Sequence, residues 1–273
     1  MDILIALLGT FVPILYGLAS ASYALLFARD DAFARRASTP LLVASVAVHG
    51  LEILLRGAMK GMLPLGNVFE SASAIAFSIG AVYLYVEART KSPMTGIFVV
   101  PVVFLLEAVA SAFVDRAAPA PAILRSTLFG LHASAAILGY CAFAVGAIYG
   151  LLYLALYHDL KSRRFSLVYD RLPPLEVLAQ MNIRSLTVGF AFLSAAIVFG
   201  AVWVTTVTEA SFLDPKVSFT LVSWAVFGFG ILAHFLLGWR GPRVIYVSVA
   251  GFLLLVSSSV AINLVGSSFH VFH

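Results

Sequence analysis

Residues 200–224 read GAVWVTTVTEASFLDPKVSFTLVSW, which is the end of one apolar helix, a short polar loop and the start of another apolar helix. The same alternation runs along the whole chain of 273 residues, of which 62% are hydrophobic and 11% charged. Its mean hydropathy is +1.02. Soluble globular domains are not that apolar. The pattern therefore predicts an all-α, polytopic membrane protein.

Eight apolar stretches are long enough to cross a bilayer, since about 20 helical residues span a hydrocarbon core about 30 Å thick. They lie at approximately 4–28, 39–57, 68–88, 93–113, 128–157, 184–206, 218–238 and 243–265. The intervening segments are too short to hold a soluble domain. We expect residues 1–273 to form a single integral membrane domain, a bundle of eight transmembrane helices.

The basic residues fall mostly on one side of the membrane if these spans alternate. That side carries Arg29, Arg35, Arg36, Arg89, Lys91, Lys161, Arg163, Arg164, Arg171, Arg184, Arg240 and Arg243. The positive-inside rule makes it the cytoplasmic side and places both termini outside the cytoplasm. We expect a multi-pass protein of the cell inner (cytoplasmic) membrane, in contact with lipid. The net charge of +4 then needs no nucleic-acid partner.

Four histidines lie within or beside the predicted spans, where a polar side chain needs a reason. His49 and His234 are inside spans, whereas His132 lies near the outer start of a span and His270 follows the last one. A neutral imidazole is a good axial ligand for heme iron, and two of them can clamp a heme between helices. Depth sorts the four into an inner pair and an outer pair. For any single membrane histidine, a hydrogen bond to a neighbouring helix is an equally simple explanation.

Each pair has an arginine seven residues from one of its histidines, which is two helical turns along the same face. Arg56 follows His49, and Arg125 precedes His132. A guanidinium is well suited to bind a carboxylate, such as a heme propionate. The alternative is that these arginines extend to the lipid headgroups.

Two glutamates, Glu52 and Glu107, also lie in predicted spans and suit a proton path. Glu52 follows His49 by three residues, so it is equally suited to orient the imidazole. The sequence contains no Walker loop, GxSxG, HExxH or CxxC motif, and we expect no catalytic activity from this chain on its own. After Pro173 and Pro174, LEVLAQMNIRSL has helical periodicity that predicts an amphipathic helix at the membrane surface.

Several segments in one order resemble the cytochrome c assembly family of heme-handling membrane proteins, which includes CcsA, CcmC and the smaller HemX-like proteins. PLGNVFESASAIAFSIGAVYLYVEAR (64–89) resembles the family's Asn-aromatic-Glu-Ser segment, and GLHASAAILGY (130–140) its outer histidine helix. LPPLEVLAQMNIRSLTVGFAFLSAAIVFGAVW (172–203) is similar to its Leu-Pro-x-Leu-Glu helix start and Gly-Ala-Val-Trp exit. INLVGSSFH (262–270) resembles its terminal Asn-Leu and second outer histidine.

The resemblance implies heme b as the cofactor. By that likeness His132 and His270 are the outer axial ligands, and His49 and His234 are the membrane-embedded pair. The family moves or holds heme and presents it outside the cytoplasm for attachment to apocytochrome c. That role involves an assembly partner that binds the apocytochrome.

The tryptophan-rich loop of the family is altered in this chain. Asp214 stands at the end of that loop, and Trp203 and Trp224 match its flanking tryptophans. The family pattern WGxxWxWDP is replaced by VTEASFLDP (207–215), in which Phe212 is the only aromatic residue. Stacking of large aromatic rings on a porphyrin is therefore largely lost.

In size and span count the chain is most similar to HemX-like members, whose family association is with control of heme biosynthesis through glutamyl-tRNA reductase. We therefore predict a HemX-like heme-binding protein that acts in cytochrome c biogenesis or in control of heme synthesis. Its partner would be a cytochrome c assembly protein or a heme-synthesis enzyme on the cytoplasmic side. The alternatives are a membrane b-type cytochrome for electron transfer and a transporter without heme.

Overall fold

The computed structural model describes residues 2–113, 126–163, 167–205 and 215–265. Helices account for almost all of this part of the chain, and no strand occurs in it. The helices are α1 Asp2–Arg29, α2 Ala32–Lys60, α3 Val68–Thr90, a 3₁₀ helix Pro93–Phe98, α4 Val100–Phe113, α5 Thr127–Ser162, α6 Leu167–Arg171, α7 Leu175–Val204, α8 Pro215–Phe235 and α9 Pro242–Val265.

Six of these helices are long and apolar enough to cross a membrane: α1, α2, α3, α5, α7 and α8. Two shorter apolar helices are α4 and the first part of α9, Pro242–Ser258. Large apolar side chains such as Ile3, Leu54 and Leu236 are more than 60% exposed. The prediction of an all-α membrane protein is confirmed. Six candidate spans are established, and the count of eight stays a prediction.

The predicted span boundaries differ from the helices at two places. Residues 93–113 do not form one helix, because the 3₁₀ helix precedes α4. The segment LEVLAQMNIRSL is not a separate surface helix but the start of α7, which continues unbroken to Val204. Its apolar residues, including Leu178, Met181 and Leu186, are buried inside the protein rather than facing lipid headgroups.

The helices pack in two groups, α1–α4 and α5 with α7–α9. In the first group α1 lies against α2 and α4, and α3 joins the groups by packing on α5 and α7. The most extensive helix contact is between α5 and α7. A side chain at Gly139 would place its Cβ 3.0 Å from the backbone nitrogen of Leu193. Small residues therefore let these two helices approach closely and fix their register.

The loop between α2 and α3 is held by hydrogen bonds at both of its ends. Gly61 ends α2 in the left-handed region, at φ 65°. Asn67 starts α3 by accepting a hydrogen bond from the Glu70 amide at 2.9 Å. The Glu70 carboxylate accepts in turn from the Gly66 amide at 2.8 Å, a variant of the capping box in which the donor precedes the N-cap residue. Both ends of the α2–α3 loop are thus bonded to the adjoining helices.

Candidate functional site

The structure describes six of the ten residues predicted to bind heme: His49, Arg56, His132, Trp203, Trp224 and His234. The other four lie outside the described residues: Arg125, Phe212, Asp214 and His270. The outer pair is thus represented by His132 alone.

His132 lies in the second turn of α5 and bonds to the backbone of α7. Its Nδ1 is 2.8 Å from the carbonyl oxygen of Ala196. Because a carbonyl oxygen only accepts, Nδ1 carries the proton and Nε2 keeps its lone pair. Metal-binding histidines usually donate their second ring nitrogen to a carbonyl or carboxylate in this way. The fold therefore holds His132 in the tautomer that binds a metal through Nε2.

The end of α7 forms the wall against which the His132 imidazole lies. A Cβ at Gly200 would be 2.7 Å from His132 Nδ1, so only glycine leaves room for the ring. The Trp203 ring lies parallel to the imidazole, with centroids 6.2 Å apart and an angle of 21°. Phe129 contacts the same tryptophan at 5.3 Å. The Gly-Ala-Val-Trp motif thus shapes one side of this site, a role of Gly200 that the sequence did not indicate.

Trp224, the second flanking tryptophan, connects α8 to α7. Its Nε1 donates to Ser194 Oγ at 2.8 Å, and its ring stacks on Phe190 at 5.2 Å. Its role in the described structure is packing between helices.

His234 is partly buried near the end of α8. Its Nδ1 donates to the Trp239 carbonyl at 2.9 Å, which again leaves Nε2 with a lone pair. The chain turns here at Gly238, with φ 67°, and Trp239 donates its amide to the Ala233 carbonyl. Past the end of the helix the chain thus turns at a glycine in the left-handed conformation, and the His234 side chain bonds to the chain just beyond it.

His49 is fully buried and contacts three other helices of the first group. Its Nδ1 lies 3.2 Å from the Tyr16 hydroxyl of α1. Its Nε2 is 2.9 Å from Ser73 Oγ of α3 and 3.3 Å from Glu107 Oε2 of α4. Both ring nitrogens are therefore engaged inside the protein.

The charged residues around His49 form a connected polar cluster. Arg56 lies 2.8 Å from Glu52, one helical turn away in α2. Lys60 pairs with Glu70. In the described structure Arg56 contributes to this cluster, and its predicted contact with a heme propionate stays a prediction.

Glu107 completes this cluster from α4. Ser111 donates to its Oε1 at 2.8 Å. A small cavity with room for about one water molecule lies between Glu52, Ser73, Glu107 and Ser111.

Glu52 and Glu107 could be recognised from the sequence, whereas Tyr16, Ser73 and Ser111 were not predicted. Buried carboxylates in a span are rare enough to be noticed. Serine and tyrosine are common in membrane helices, so no signal distinguishes these three.

The two inner histidines belong to helices with different neighbours. Within the described residues, α2 packs against α1 and α3, whereas α8 packs against α9 and α7. The structure accordingly does not bring His49 and His234 together. Their pairing on one heme stays a prediction.

Comparison with known proteins adds a family and several relatives. The sequence model described as cytochrome C assembly protein matches residues 65–270. The match contains His132, His234 and His270, and it begins after His49, Glu52 and Arg56.

The relatives include three proteins named cytochrome c biogenesis protein CcsA. That of Heterosigma akashiwo (strain NIES-293 / 8280G21-1) is 26% identical over 243 residues, which is 76% of each chain. That of Prochlorococcus marinus (strain MIT 9303) is 27% identical over 262 residues, 85% of this chain and 82% of its own. That of Synechococcus sp. (strain CC9605) is 28% identical over 263 residues, 86% of each chain.

Proposed function

This chain belongs to the cytochrome c assembly protein family, and on that premise we propose that it binds heme at its outer surface and handles it for cytochrome c biogenesis. The observation that carries the proposal is the geometry of His132. Its imidazole is fixed by the Ala196 carbonyl, and Nε2 keeps its lone pair for iron. The residue lies inside the segment that matches the family.

The residues around His132 fit a heme on chemical grounds. Nε2 supplies an axial ligand, and Trp203 and Phe129 supply aromatic surface beside it. We propose His270 as the second axial ligand. Bound heme would supply the iron and its vinyl groups, and this chain would hold and orient them.

The cofactor we propose is heme b, held by axial ligands alone. The chain has one cysteine, Cys141, which is buried in α5 at 4% exposure. Attachment through two thioethers requires two accessible cysteines, as in a CxxCH motif. The heme that this protein holds is therefore non-covalent and can be passed on.

The proposed topology places this site outside the cytoplasm. We take α4 and α9 as two crossings in addition to the six candidate spans, so that both termini are outside. The starts of α5 and α8 then lie at the outer surface, with His132 beside them. The basic residues concentrate at the opposite, cytoplasmic end. A cytochrome c assembly partner in the same membrane would receive the heme.

A second candidate is a HemX-like role in the control of heme synthesis. The observation that favours it is the loop at 207–214, where Val207, Ser211 and Leu213 stand at the tryptophan positions of the family. Such a loop offers little aromatic surface for presenting heme to another protein. The partner would then be a heme-synthesis enzyme on the cytoplasmic side.

Deletion of the gene separates the two candidates. Under the first, c-type cytochromes fail to mature while the abundance of glutamyl-tRNA reductase is unchanged. Under the second, the reductase abundance changes while c-type cytochromes still mature. The electron-transfer alternative depends on the inner histidine pair, and heme reduction by quinol tests it.

The direct test of heme binding is a visible spectrum of the protein purified in detergent after heme supplementation. We expect a Soret band in the wild type, and its absence would overturn the proposal. His132→Ala should remove most of the band because it removes a ligand. His158→Ala is the matched control, since His158 is an exposed histidine at the other end of α5. Equal loss in both variants would contradict a specific role for His132.

A further inference from the structure

We propose that His49, Glu52 and Glu107 form a binding site for one divalent first-row transition-metal ion, separate from the heme site. One ligand atom from each of these residues lies within 4.8 Å of the other two. Nitrogen and oxygen ligands lie about 2.0 to 2.2 Å from such an ion, so two of them can be at most about 4.4 Å apart. His49 Nε2 and Glu107 Oε2, 3.3 Å apart, are already within this limit, and small side-chain shifts would bring Glu52 to the same ion. The three residues come from two helices, α2 and α4, so the site depends on the fold.

Two carboxylate oxygens in this cluster have no hydrogen-bond partner among the described residues. They are Oε2 of Glu52 and Oε2 of Glu107, both buried, in residues that are 4% and 1% exposed. A buried acceptor that lacks a partner costs about 1 to 3 kcal/mol, and more when it is charged. Both glutamates line the small cavity, so one cation there would satisfy both oxygens.

Among the described residues, one carboxylate at the cavity has no lysine or arginine at ion-pair distance. Arg56 pairs with Glu52, and Lys60 pairs with Glu70. Within the described part of the chain, Glu107 has only His49 at ion-pair distance. An ionised carboxylate in a low-dielectric interior is unfavourable unless a positive charge or enough hydrogen-bond donors lie nearby. A divalent ion between Glu107 and Glu52 would supply that charge.

The imidazole of His49 is oriented for metal binding. When Nδ1 carries the proton and donates to the Tyr16 hydroxyl, Nε2 keeps its lone pair, and Ser73 Oγ and Glu107 Oε2 both lie beside it. A lone pair 3.3 Å from a carboxylate oxygen is repulsive unless a positive charge lies between them. Ser73 Oγ, 2.9 Å from Nε2, reaches the same place and offers a further oxygen ligand.

The ligand set indicates the class of ion. One imidazole and two carboxylates suit Zn²⁺, Mn²⁺ or Fe²⁺, whereas Mg²⁺ and Ca²⁺ prefer oxygen alone and Cu⁺ prefers sulfur. The cavity has room for about one water molecule, which is enough for an ion but not for a porphyrin. An ion would enter past Arg56 and Pro64, which line the cavity near the α2–α3 loop.

The test counts zinc ions bound to the full chain in detergent. Heme-free protein is stripped with a chelator, incubated with Zn²⁺, desalted and analysed by inductively coupled plasma mass spectrometry. We expect about one zinc per chain in the wild type and near-background zinc in Glu52→Gln and Glu107→Gln. Each amide has the size of the carboxylate but no charge. The matched control is Glu87→Gln, because Glu87 is equally buried, at 3% exposure, and lies outside the cluster, where Tyr23 donates to it.

A second readout covers variants that fold poorly. Zinc that binds only the native state raises the unfolding temperature, and this rise should appear in the wild type and Glu87→Gln but not in Glu107→Gln. The proposal is overturned if the wild type binds no zinc, which would mean that a proton shared by His49 and Glu107 holds the cluster. Equal zinc in the wild type and both cluster variants would overturn it as well.

The zinc assay and the heme assay test the two proposals independently of each other. His132→Ala should bind zinc as the wild type does while losing the Soret band. Glu107→Gln should lose zinc while keeping the Soret band. Loss of zinc in His132→Ala would place the ion at the heme site and refute a separate site.

Discussion

His49 and His132 are both histidines in apolar helices, yet their ring nitrogens have different kinds of partner. His49 is completely buried, and side chains from three other helices contact its two nitrogens. His132 is partly buried, and one backbone carbonyl takes its Nδ1 proton. Side-chain partners on both nitrogens hold an imidazole in a polar network inside the protein. A single carbonyl partner sets the tautomer and leaves the other nitrogen available.

The two helix groups also differ in the charge of their buried polar side chains. The first group buries charged side chains, including Glu52, Glu70, Glu87 and Glu107. Buried polar residues of α5, α7, α8 and α9 in the described structure are uncharged: Asn182, Ser185, Ser223, Ser248 and Ser258. A charged interior can hold a cation, whereas an uncharged one with an open histidine suits a large apolar cofactor. The structure thus places the buried carboxylates and His132 in different helix groups.

The largest expected effect is the loss of stability in His49→Ala. Removing this ring leaves Tyr16, Ser73 and Glu107 without their partner and opens a cavity in a fully buried region. We expect about 3 kcal/mol of destabilisation, as estimated for a lost core side chain together with unpaired polar groups. Unfolding in detergent, with chelator present, measures it.

The matched variant for this prediction is His234→Ala. His234 is only partly buried and has one hydrogen bond, to the Trp239 carbonyl. Its loss should cost about 1 kcal/mol. If both variants lose the same stability, a histidine with partners on both nitrogens contributes no more to folding than one with a single partner.

A smaller effect is expected from Gly200→Ala on heme affinity. The added Cβ would lie 2.7 Å from His132 Nδ1, so the imidazole must move away from α7 and lose the Ala196 bond. We expect heme to bind about tenfold more weakly, which corresponds to about 1.4 kcal/mol. Titration of heme into purified protein, followed at the Soret band, measures the change.

Gly251→Ala controls for general crowding. Its Cβ would be 2.9 Å from the Phe227 ring, a similarly close contact in α9 without a histidine. Heme affinity should stay within about twofold of the wild type in this variant. An equal loss in both variants would show that Gly200 acts through packing of the helices rather than through His132.

Much of the fold could be predicted because hydropathy and helix length are local properties of the sequence. All eight predicted spans overlap helices, and the end of α7 at Val204 lies close to the predicted end at 206. The predicted start of α7 was wrong because an apolar helix face has the same sequence pattern whether it contacts lipid or another helix. Only the tertiary contact with α5 distinguishes the two.

The candidate site was predicted less completely, since it depends on which helices are neighbours. Depth along a span placed His49 and His234 in one pair, but depth says nothing about lateral position in the bundle. The structure instead places Glu107 from α4 beside His49, across 58 positions in sequence. No pattern in a single sequence encodes that pairing. The partner of His132 on α7 is a backbone carbonyl, which any residue provides.

The smallest expected effect compares the starts of α3 and α5. Asn67 caps α3 through its side chain, and Glu70 bonds back to Gly66, so this cap also holds the partner of Lys60 in place. Asn67→Ala should therefore cost about 1 kcal/mol, the usual value for a lost N-cap. Ser126 starts α5 without a side-chain cap bond to any described residue, and Ser126→Ala should change stability by less than about 0.5 kcal/mol. Asn67→Ser, which keeps a capping oxygen, should recover most of the loss, because the interaction is a hydrogen bond to the Glu70 amide rather than shape. Chemical or thermal unfolding of the three variants in one detergent gives the ranking. An Asn67→Ala protein as stable as Ser126→Ala would mean that the charged cluster does not depend on the Asn67 cap.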